Sequence, residues 1–208
     1  MLSEGKAFTP NEAAVVSGVP VKTVNREIDE GPLRAKRKKS GGRRSLQEED
    51  LFYLAVAKSL DTRLVQLTSE GKERLRSAIV SCIRRGQTKQ RFSLFGSGLT
   101  LDLKQVLEEV RWRLMRLERA RKMVVGDPEV RGGEPCIRGT RIGVYEIASM
   151  LDQGGSEDEI LEGYPSLKRE QLQLAKIFAQ AYPRKGRPPR HAWRRAPWRE
   201  ISLSETLG

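Results

Sequence analysis

The sequence predicts a mainly α-helical protein with small β elements, in which two helical domains are followed by an extended C-terminal tail. Helix-capping patterns recur along the chain, and hydrophobic residues recur at helical spacing. Only 6% of the 208 residues are aromatic while 32% are charged, which fits small helical domains better than one large enzyme core. We expect an N-terminal domain at residues 1–67, a connector at 68–122, a trihelical domain at 123–183 and a tail at 184–208.

The net charge of +12 comes from two short segments. Seven basic and no acidic residues lie between Arg34 and Arg44, and seven basic and two acidic residues lie between Arg184 and Gly208. The rest of the chain is neutral. Basic segments make nucleic acid the first partner to consider, or else an acidic protein surface. Because no segment is long and apolar enough to span a membrane and the start lacks a signal-peptide pattern, we expect a cytoplasmic protein.

The first predicted helix has clear start and stop signals. Thr9 can cap it, Pro10 suits its first position, and Glu12 completes a capping box. Gly18 can then turn the chain into a second helix.

The second helix is predicted from about Pro20 to Glu30, and one of its faces is apolar. The residues on that face are Val21, Val24 and Ile28. Asn and Arg suit base edges and Lys and Thr suit phosphates, so the opposite face is a candidate DNA-binding surface. Its residues are Lys22, Thr23, Asn25 and Arg26.

A basic segment follows, and we expect it to form a wing that lies along the phosphate backbone. Gly41-Gly42 is a good hairpin turn between two short strands. The basic residues of the wing are Lys36, Arg37, Lys38, Lys39, Arg43 and Arg44. Ser45 and Glu48 form another capping box, which predicts a further helix. A solvated basic loop beside ordinary packing helices is the alternative, but the order of caps, turns and basic wing favours DNA binding.

The run from Phe8 to about Leu60 resembles the winged helix-turn-helix head of the MerR family. The matching residues are Thr9-Pro10-Asn11-Glu12-Ala13-Ala14, Gly18-Val19, Thr23-Val24-Asn25-Arg26-Glu27-Ile28, Gly31-Pro32-Leu33 and Glu49-Asp50-Leu51. The resemblance implies DNA binding by a helix in the major groove together with the wing.

The connector is predicted to contain an amphipathic helix over residues 67–85 and a helix from Asp102 to about Lys122. Between them, residues 91–103 are predicted to form two short strands or an extended pair. The apolar stripe of the last helix consists of Val106, Val110, Leu114 and Leu117. Since this stripe covers only two to three heptads, it fits either dimerisation or packing within the chain.

The region after residue 123 alternates turn signals with short apolar segments. Asp127-Pro128 and Gly132-Gly133 predict turns, and Cys136-Ile137 and Arg141-Ile142 are short strand-like pieces. Three helices follow, the second capped by Ser156 and the third opening at Ser166, as in a homeodomain-like trihelical unit. The glycine-rich stretch has neither a phosphate-loop ending nor a dinucleotide-binding spacing. No set of metal ligands and no pair of nucleophile and base is visible in the sequence either, so we expect no metal, no cofactor and no enzymatic activity.

The segment from Met123 to Pro183 resembles a small family that was long catalogued as a domain of unknown function and is now regarded as VapB-like antitoxins. The matching residues are Asp127-Pro128, Gly132-Gly133, Pro135, Ile137, Gly139-Thr140-Arg141-Ile142, Ile160, Tyr164-Pro165-Ser166-Leu167 and Ala175. The resemblance implies a helix-turn-helix fold and a role as an antitoxin encoded beside a PIN-domain toxin, a magnesium-dependent ribonuclease. Because the helix after Ser156 is acidic, we expect this domain to dimerise or support the tail rather than lie on phosphates.

The tail combines arginines with Trp193 and Trp198, a composition typical of interface anchors. An arginine can pair bidentately with the carboxylates that hold magnesium in a PIN nuclease, and aliphatic residues can fill apolar pockets. The expected toxin-binding residues are Arg187, Arg190, Trp193, Arg194, Arg195, Trp198, Arg199, Ile201 and Leu203. A flexible basic tail that helps to hold nucleic acid is the alternative.

Taken together, the sequence favours the antitoxin of a type II toxin-antitoxin system. We expect a homodimer within a toxin-antitoxin hetero-oligomer, which binds operator DNA of its own operon and neutralises a PIN-domain (VapC-type) ribonuclease. The alternative is a MerR-like, ligand-responsive transcriptional regulator without a toxin partner.

Overall fold

A computed structural model of the chain describes residues 6–37, 44–60, 67–85, 91–93 and 100–184. This part of the chain is mainly helical, as the sequence predicts. Its helices are α1 (Pro10–Ser17), α2 (Val21–Asp29), α3 (Glu48–Leu60), α4 (Ser69–Arg84), α5 (Lys104–Met123), α6 (Val144–Asp152), α7 (Glu157–Gly163) and α8 (Arg169–Ala181). None of these helices is both long and apolar enough to cross a membrane.

Six short strands form three antiparallel pairs in the described ranges. The strands are β1 (Lys36–Arg37), β2 (Arg44–Ser45), β3 (Arg91–Ser93), β4 (Thr100–Asp102), β5 (Val124–Val125) and β6 (Cys136–Ile137), paired in that order. The first pair agrees with the strands of the predicted hairpin, whose Gly41-Gly42 turn lies outside the described residues, and the second agrees with the two short strands expected within residues 91–103. The third pair differs from expectation, because β6 pairs with β5 and residues 141–142 form no strand.

The predicted start and end of α1 are confirmed. The Thr9 hydroxyl accepts from the Glu12 backbone N–H at 3.3 Å, and the Glu12 carboxylate accepts from the Thr9 N–H at 2.7 Å. Gly18 ends the helix with φ of 69°, a left-handed conformation that costs glycine little. The helix predicted after Ser45 is α3, and it begins at Glu48. Just before this start, the Gln47 N–H donates to the Asp50 carboxylate at 2.9 Å.

One apolar core joins the first five helices. It is built around Phe8, Val24, Leu51, Tyr53 and Leu75, all of them fully buried. The α5 stripe belongs to this core, with Val110 and Leu117 buried and Val106 and Leu114 packed against it. Packing within the chain therefore accounts for the stripe, whereas the exposed apolar side chains of α5 lie elsewhere, at Trp112 and Met115.

A second core lies between α6, α7 and α8. Its fully buried members include Ile137, Val144, Ile147 and Leu172. The capping box of α7 is confirmed, since Ser156 accepts from the Glu159 N–H at 3.2 Å and Glu159 accepts from the Ser156 N–H at 3.0 Å. The prediction that Ser166 opens the last helix is wrong. The chain first makes a turn in which the Leu167 N–H donates to the Tyr164 carbonyl at 2.9 Å, and α8 begins only at Arg169.

The two cores are in contact through α8. This helix packs against α1 and α5 as well as α6, and its last residue, Ala181, is buried in the first core. The predicted connector helices α4 and α5 likewise share the first core with α1, α2 and α3. The C-terminal helices are thus fixed beside the N-terminal ones.

Candidate nucleic-acid interface

The outward face of α2 carries the residues that the sequence proposes for DNA contact. Lys22 and Arg26 are exposed, and Thr23 and Asn25 are half-buried. Lys22 and Arg26 are four residues apart, so they share one side of the helix. On the opposite side Val24 is fully buried. The apolar spacing of α2 therefore places its basic side chains on the surface, as predicted.

A buried carboxylate holds the inner side of α2. Glu27 is 6% exposed, and it accepts hydrogen bonds from the Tyr53 hydroxyl at 2.9 Å and from Lys72 Nζ at 2.6 Å. These contacts tie α2 to α3 and α4. Burial together with the Glu27 charge raises the pKa of Tyr53 well above its ordinary value. Because its inner side is fixed to α3 and α4, α2 can present its outer face with little conformational freedom.

The hairpin formed by β1 and β2 begins beside α2. Arg44 Nη1 lies 2.7 Å from Asp29 Oδ1 at the end of α2, and Lys36 and Arg37 pair through their backbone with Ser45 and Arg44. The other predicted wing residues lie outside the described residues; they are Lys38, Lys39 and Arg43. The structure thus brings one basic side chain of the predicted wing, Arg44, next to the candidate recognition helix.

A second carboxylate connects the N-terminal domain to the C-terminal helices. Glu12 is 4% exposed, and one of its oxygens, Oε1, accepts from Arg121 Nη2 at 2.6 Å and from the Tyr182 hydroxyl. Arg121 Nε also donates to the Tyr182 oxygen at 2.5 Å. We call these three side chains the Glu12 cluster. They join α1, α5 and the end of α8.

The contacts within the Glu12 cluster shift the pKa values of Glu12 and Tyr182. Burial alone would raise the pKa of Glu12, but hydrogen bonds from Tyr182, Thr9 and Arg121 outweigh it and hold the pKa below its ordinary value. Burial and the neighbouring carboxylate raise the pKa of Tyr182 to about 12, so its hydroxyl stays protonated and donates. Residue patterns alone do not reveal this cluster. Glu12 is recognisable as a capping residue, but nothing near it in sequence points to Arg121 or Tyr182.

The acidic helix α7 is partly neutralised within its own domain. Arg169 Nη1 contacts Glu157 at 2.8 Å, and its other terminal nitrogen contacts Asp158. Glu159 caps the helix through Ser156. Among the residues that the structure describes, no three metal-ligating side chains gather into a site. Three of the α7 carboxylates thus take part in ion pairs or capping: Glu157, Asp158 and Glu159.

The last described residue, Arg184, is held by two neighbours. Its guanidinium carbon lies 4.7 Å from the centroid of the Tyr145 ring, and its Nη2 pairs with Glu134. All the residues proposed to bind a toxin follow it and lie outside the described residues; they are Arg187, Arg190, Trp193, Arg194, Arg195, Trp198, Arg199, Ile201 and Leu203.

Sequence comparison places the chain in a family. An uncharacterized protein, y4eO from Sinorhizobium fredii (strain NBRC 101917 / NGR234), is 36% identical over 185 residues, which are 85% of this chain and 82% of the rhizobial protein. The chain belongs to the y4eO family. Within this y4eO-family protein, residues 124–179 match the model of a protein family of unknown function, DUF433. That match spans β5 through most of α8, which agrees with the motif found in the sequence.

A structural comparison with the crystal structure of Rv2018 from Mycobacterium tuberculosis gives a weaker likeness. The two chains are 16% identical, with a TM-score of 0.34, and the alignment covers 81% of the y4eO-family chain and 96% of Rv2018.

Proposed function

We propose that this y4eO-family protein binds operator DNA through its N-terminal domain and is the antitoxin of a PIN-domain ribonuclease. The DNA-binding part of this proposal rests on the orientation of α2, whose basic side faces outward. Lys22 and Arg26 are exposed on one side of this helix, while Glu27 anchors the other side to Tyr53 and Lys72. A rigid helix with a basic outer face is what insertion into the major groove requires.

The neighbouring elements support the same use of α2. The order α1, glycine turn, α2, β1 and β2, α3 supports the proposal, because a winged helix-turn-helix requires its elements in this order. Arg26 is suited to the acceptor groups of guanine in the major groove, and Lys22 to a phosphate. Arg44 lies at the base of the hairpin, next to the end of α2, where a wing would follow the DNA backbone.

The antitoxin part rests on the C-terminal half. Residues 124–179 match a family of unknown function, and their motif resembles that of VapB-like antitoxins. The chain continues beyond Arg184 with five further arginines and two tryptophans. In this proposal those arginines pair with the carboxylates of the toxin's metal site, and the tryptophans anchor the interface. Exposed Trp112 and Met115 on α5 provide an apolar surface for the homodimer.

Operator binding can be measured by fluorescence anisotropy with DNA from upstream of the protein's own reading frame, at several salt concentrations. The double variant Lys22→Ala/Arg26→Ala removes two cations, so the negative slope of log K against log salt should become shallower by about 0.9 for each phosphate that is no longer neutralised. The matched control is Lys104→Ala/Arg111→Ala, which removes two exposed cations from α5. Equal effects in both variants, or no effect in either, would contradict reading by α2.

Toxin neutralisation needs a separate experiment. The purified protein is mixed with the ribonuclease encoded by the adjacent reading frame, and cleavage of a labelled RNA is followed. Deletion of residues 185–208 should abolish inhibition while operator binding persists, because α2 is unchanged. Full inhibition by the truncated protein would overturn the role of the tail. If the intact protein binds its operator and leaves the nuclease active, it is a regulator without a toxin partner.

A further inference from the structure

An open cleft of about 850 Å³ lies between the N-terminal domain and the C-terminal domain, and both contribute to its lining. The side belonging to the N-terminal domain includes Asn11, Asn25 and Arg44, and the opposite side includes Glu134, Tyr145 and Arg184. Asn25 lies on α2 and Arg44 on β2, so the cleft begins at the surface proposed to meet DNA. Its opposite side belongs to the C-terminal domain, whose role in the proposed function is toxin binding.

Arg184 is held in position rather than extended into solvent. Its guanidinium stacks on Tyr145 at 4.7 Å, and the Tyr145 hydroxyl donates to the Tyr182 carbonyl at 2.6 Å. The carboxylate of Glu134 pairs with Arg184 and also with Arg131 Nε at 3.2 Å. One carboxylate thus lies between two guanidinium groups. Stacking on an aromatic ring and fixed orientation are the features that suit arginine to phosphate recognition.

On the other side of the cleft, Arg44 is held by an ion pair. Its Nη1 is 2.7 Å from Asp29 Oδ1, and its side chain is 31% exposed. A guanidinium has five N–H donors, so an ion pair made through one nitrogen leaves donors for a second anion. Asn11 and Asn25 add amide donors of the kind that contact phosphate oxygens. The cleft therefore combines two oriented cations and neutral hydrogen-bond donors with one carboxylate, Glu134, which is already paired with Arg184 and Arg131.

We propose that this cleft binds the phosphates of one DNA strand that flanks α2, with Arg44 and Arg184 as cations from the two domains. The inference rests on the proposed function, because the strand is the one leaving the major groove that α2 reads. It assigns the C-terminal domain a contact with DNA through Arg184 rather than through α7, whose acidic side chains disfavour phosphate. Phosphate contacts of this kind fix the register of a protein on the duplex and strengthen binding regardless of sequence.

The test is the salt dependence of operator binding by the full-length Arg184→Ala variant. With one phosphate fewer neutralised, the negative slope of log K against log salt should be shallower by about 0.9, and Arg184→Lys should restore most of its steepness. The control is Arg169→Ala, which removes an arginine of α8 that also pairs with carboxylates, Glu157 and Asp158, but does not line the cleft. Arg184→Gln provides a second neutral variant of similar length if Arg184→Ala fails to fold.

Each result decides the question. A slope that stays unchanged in folded Arg184→Ala or Arg184→Gln overturns the proposal, and so does tighter binding, which would mean that this side of the cleft excludes DNA. If Lys22→Ala/Arg26→Ala loses affinity while the Arg184 variants do not, only the cleft is refuted and reading by α2 stands. If the unmodified protein does not bind its operator at any salt concentration, the proposed function fails and the cleft fails with it.

Discussion

Replacing Arg121 by Met should destabilise the protein strongly, because the buried Glu12 carboxylate would lose its cation. Glu12 is 4% exposed, and it would keep only the Thr9 N–H and the Tyr182 hydroxyl as donors. Removing one partner of a buried ion pair costs about 3–5 kcal/mol. Arg121 itself is 26% exposed on its side chain, and two donors to Glu12 remain. The decrease should therefore lie near the lower end, at about 3 kcal/mol of unfolding free energy.

Urea denaturation followed by far-UV circular dichroism at neutral pH measures this decrease, and a double-mutant cycle with Glu12→Gln isolates the pair. The matched control is Arg74→Met on α4. Arg74 pairs with Glu70 across one turn, and both side chains are more than 60% exposed, so that change should cost no more than about 0.5 kcal/mol. A decrease below about 1 kcal/mol for Arg121→Met, or a coupling near zero with Glu12→Gln, would refute the role given to the Glu12 cluster.

Three further outcomes are expected. The folded-state pKa of Glu12 lies below its ordinary value of 4.5, so the ionised carboxylate stabilises the fold above that pH. Urea denaturation should therefore show that the unmodified protein and Glu12→Gln become closer in unfolding free energy as the solution is acidified. Tyr53→Phe removes one donor to the buried Glu27 carboxylate and should cost about 1–3 kcal/mol in the same assay. Gly18→Ala places a side chain at φ of 69°, and a melting curve should show a destabilisation equivalent to about 1–2 kcal/mol.

The sequence predicts features whose partners lie close together along the chain. The capping pairs Thr9–Glu12 and Ser156–Glu159 span three residues, so their chemistry is visible locally. The last helix shows where a local signal misleads. Ser166 is a good capping residue, but the turn closed by Leu167 delays the helix, and the Lys168 N–H is satisfied by the Gln171 side chain at 2.7 Å. Two competing ways of satisfying the same backbone groups cannot be ranked from residue preferences alone.

The sequence contains no local pattern that predicts contacts between distant segments. Arg121 is 109 residues from Glu12, and Tyr182 is 170 residues from it. No local spacing links these three positions, and each has an ordinary role in its own helix. The side of α2 that faces solvent follows from helical periodicity, whereas the cleft beside it depends on where α8 packs, which only the tertiary structure gives.

The position of Tyr182 has a consequence for how the two proposed partners relate. Its hydroxyl donates to Glu12 on α1, and its carbonyl accepts from Tyr145, so the chain just before residue 184 is fixed to both domains. Arg184 then lies in the cleft that also contains Asn25 and Arg44. The residues that follow therefore start from a point that does not move independently of the DNA-binding helices. In the proposed function, toxin and operator are thus attached to one support, which allows binding of one to affect the other.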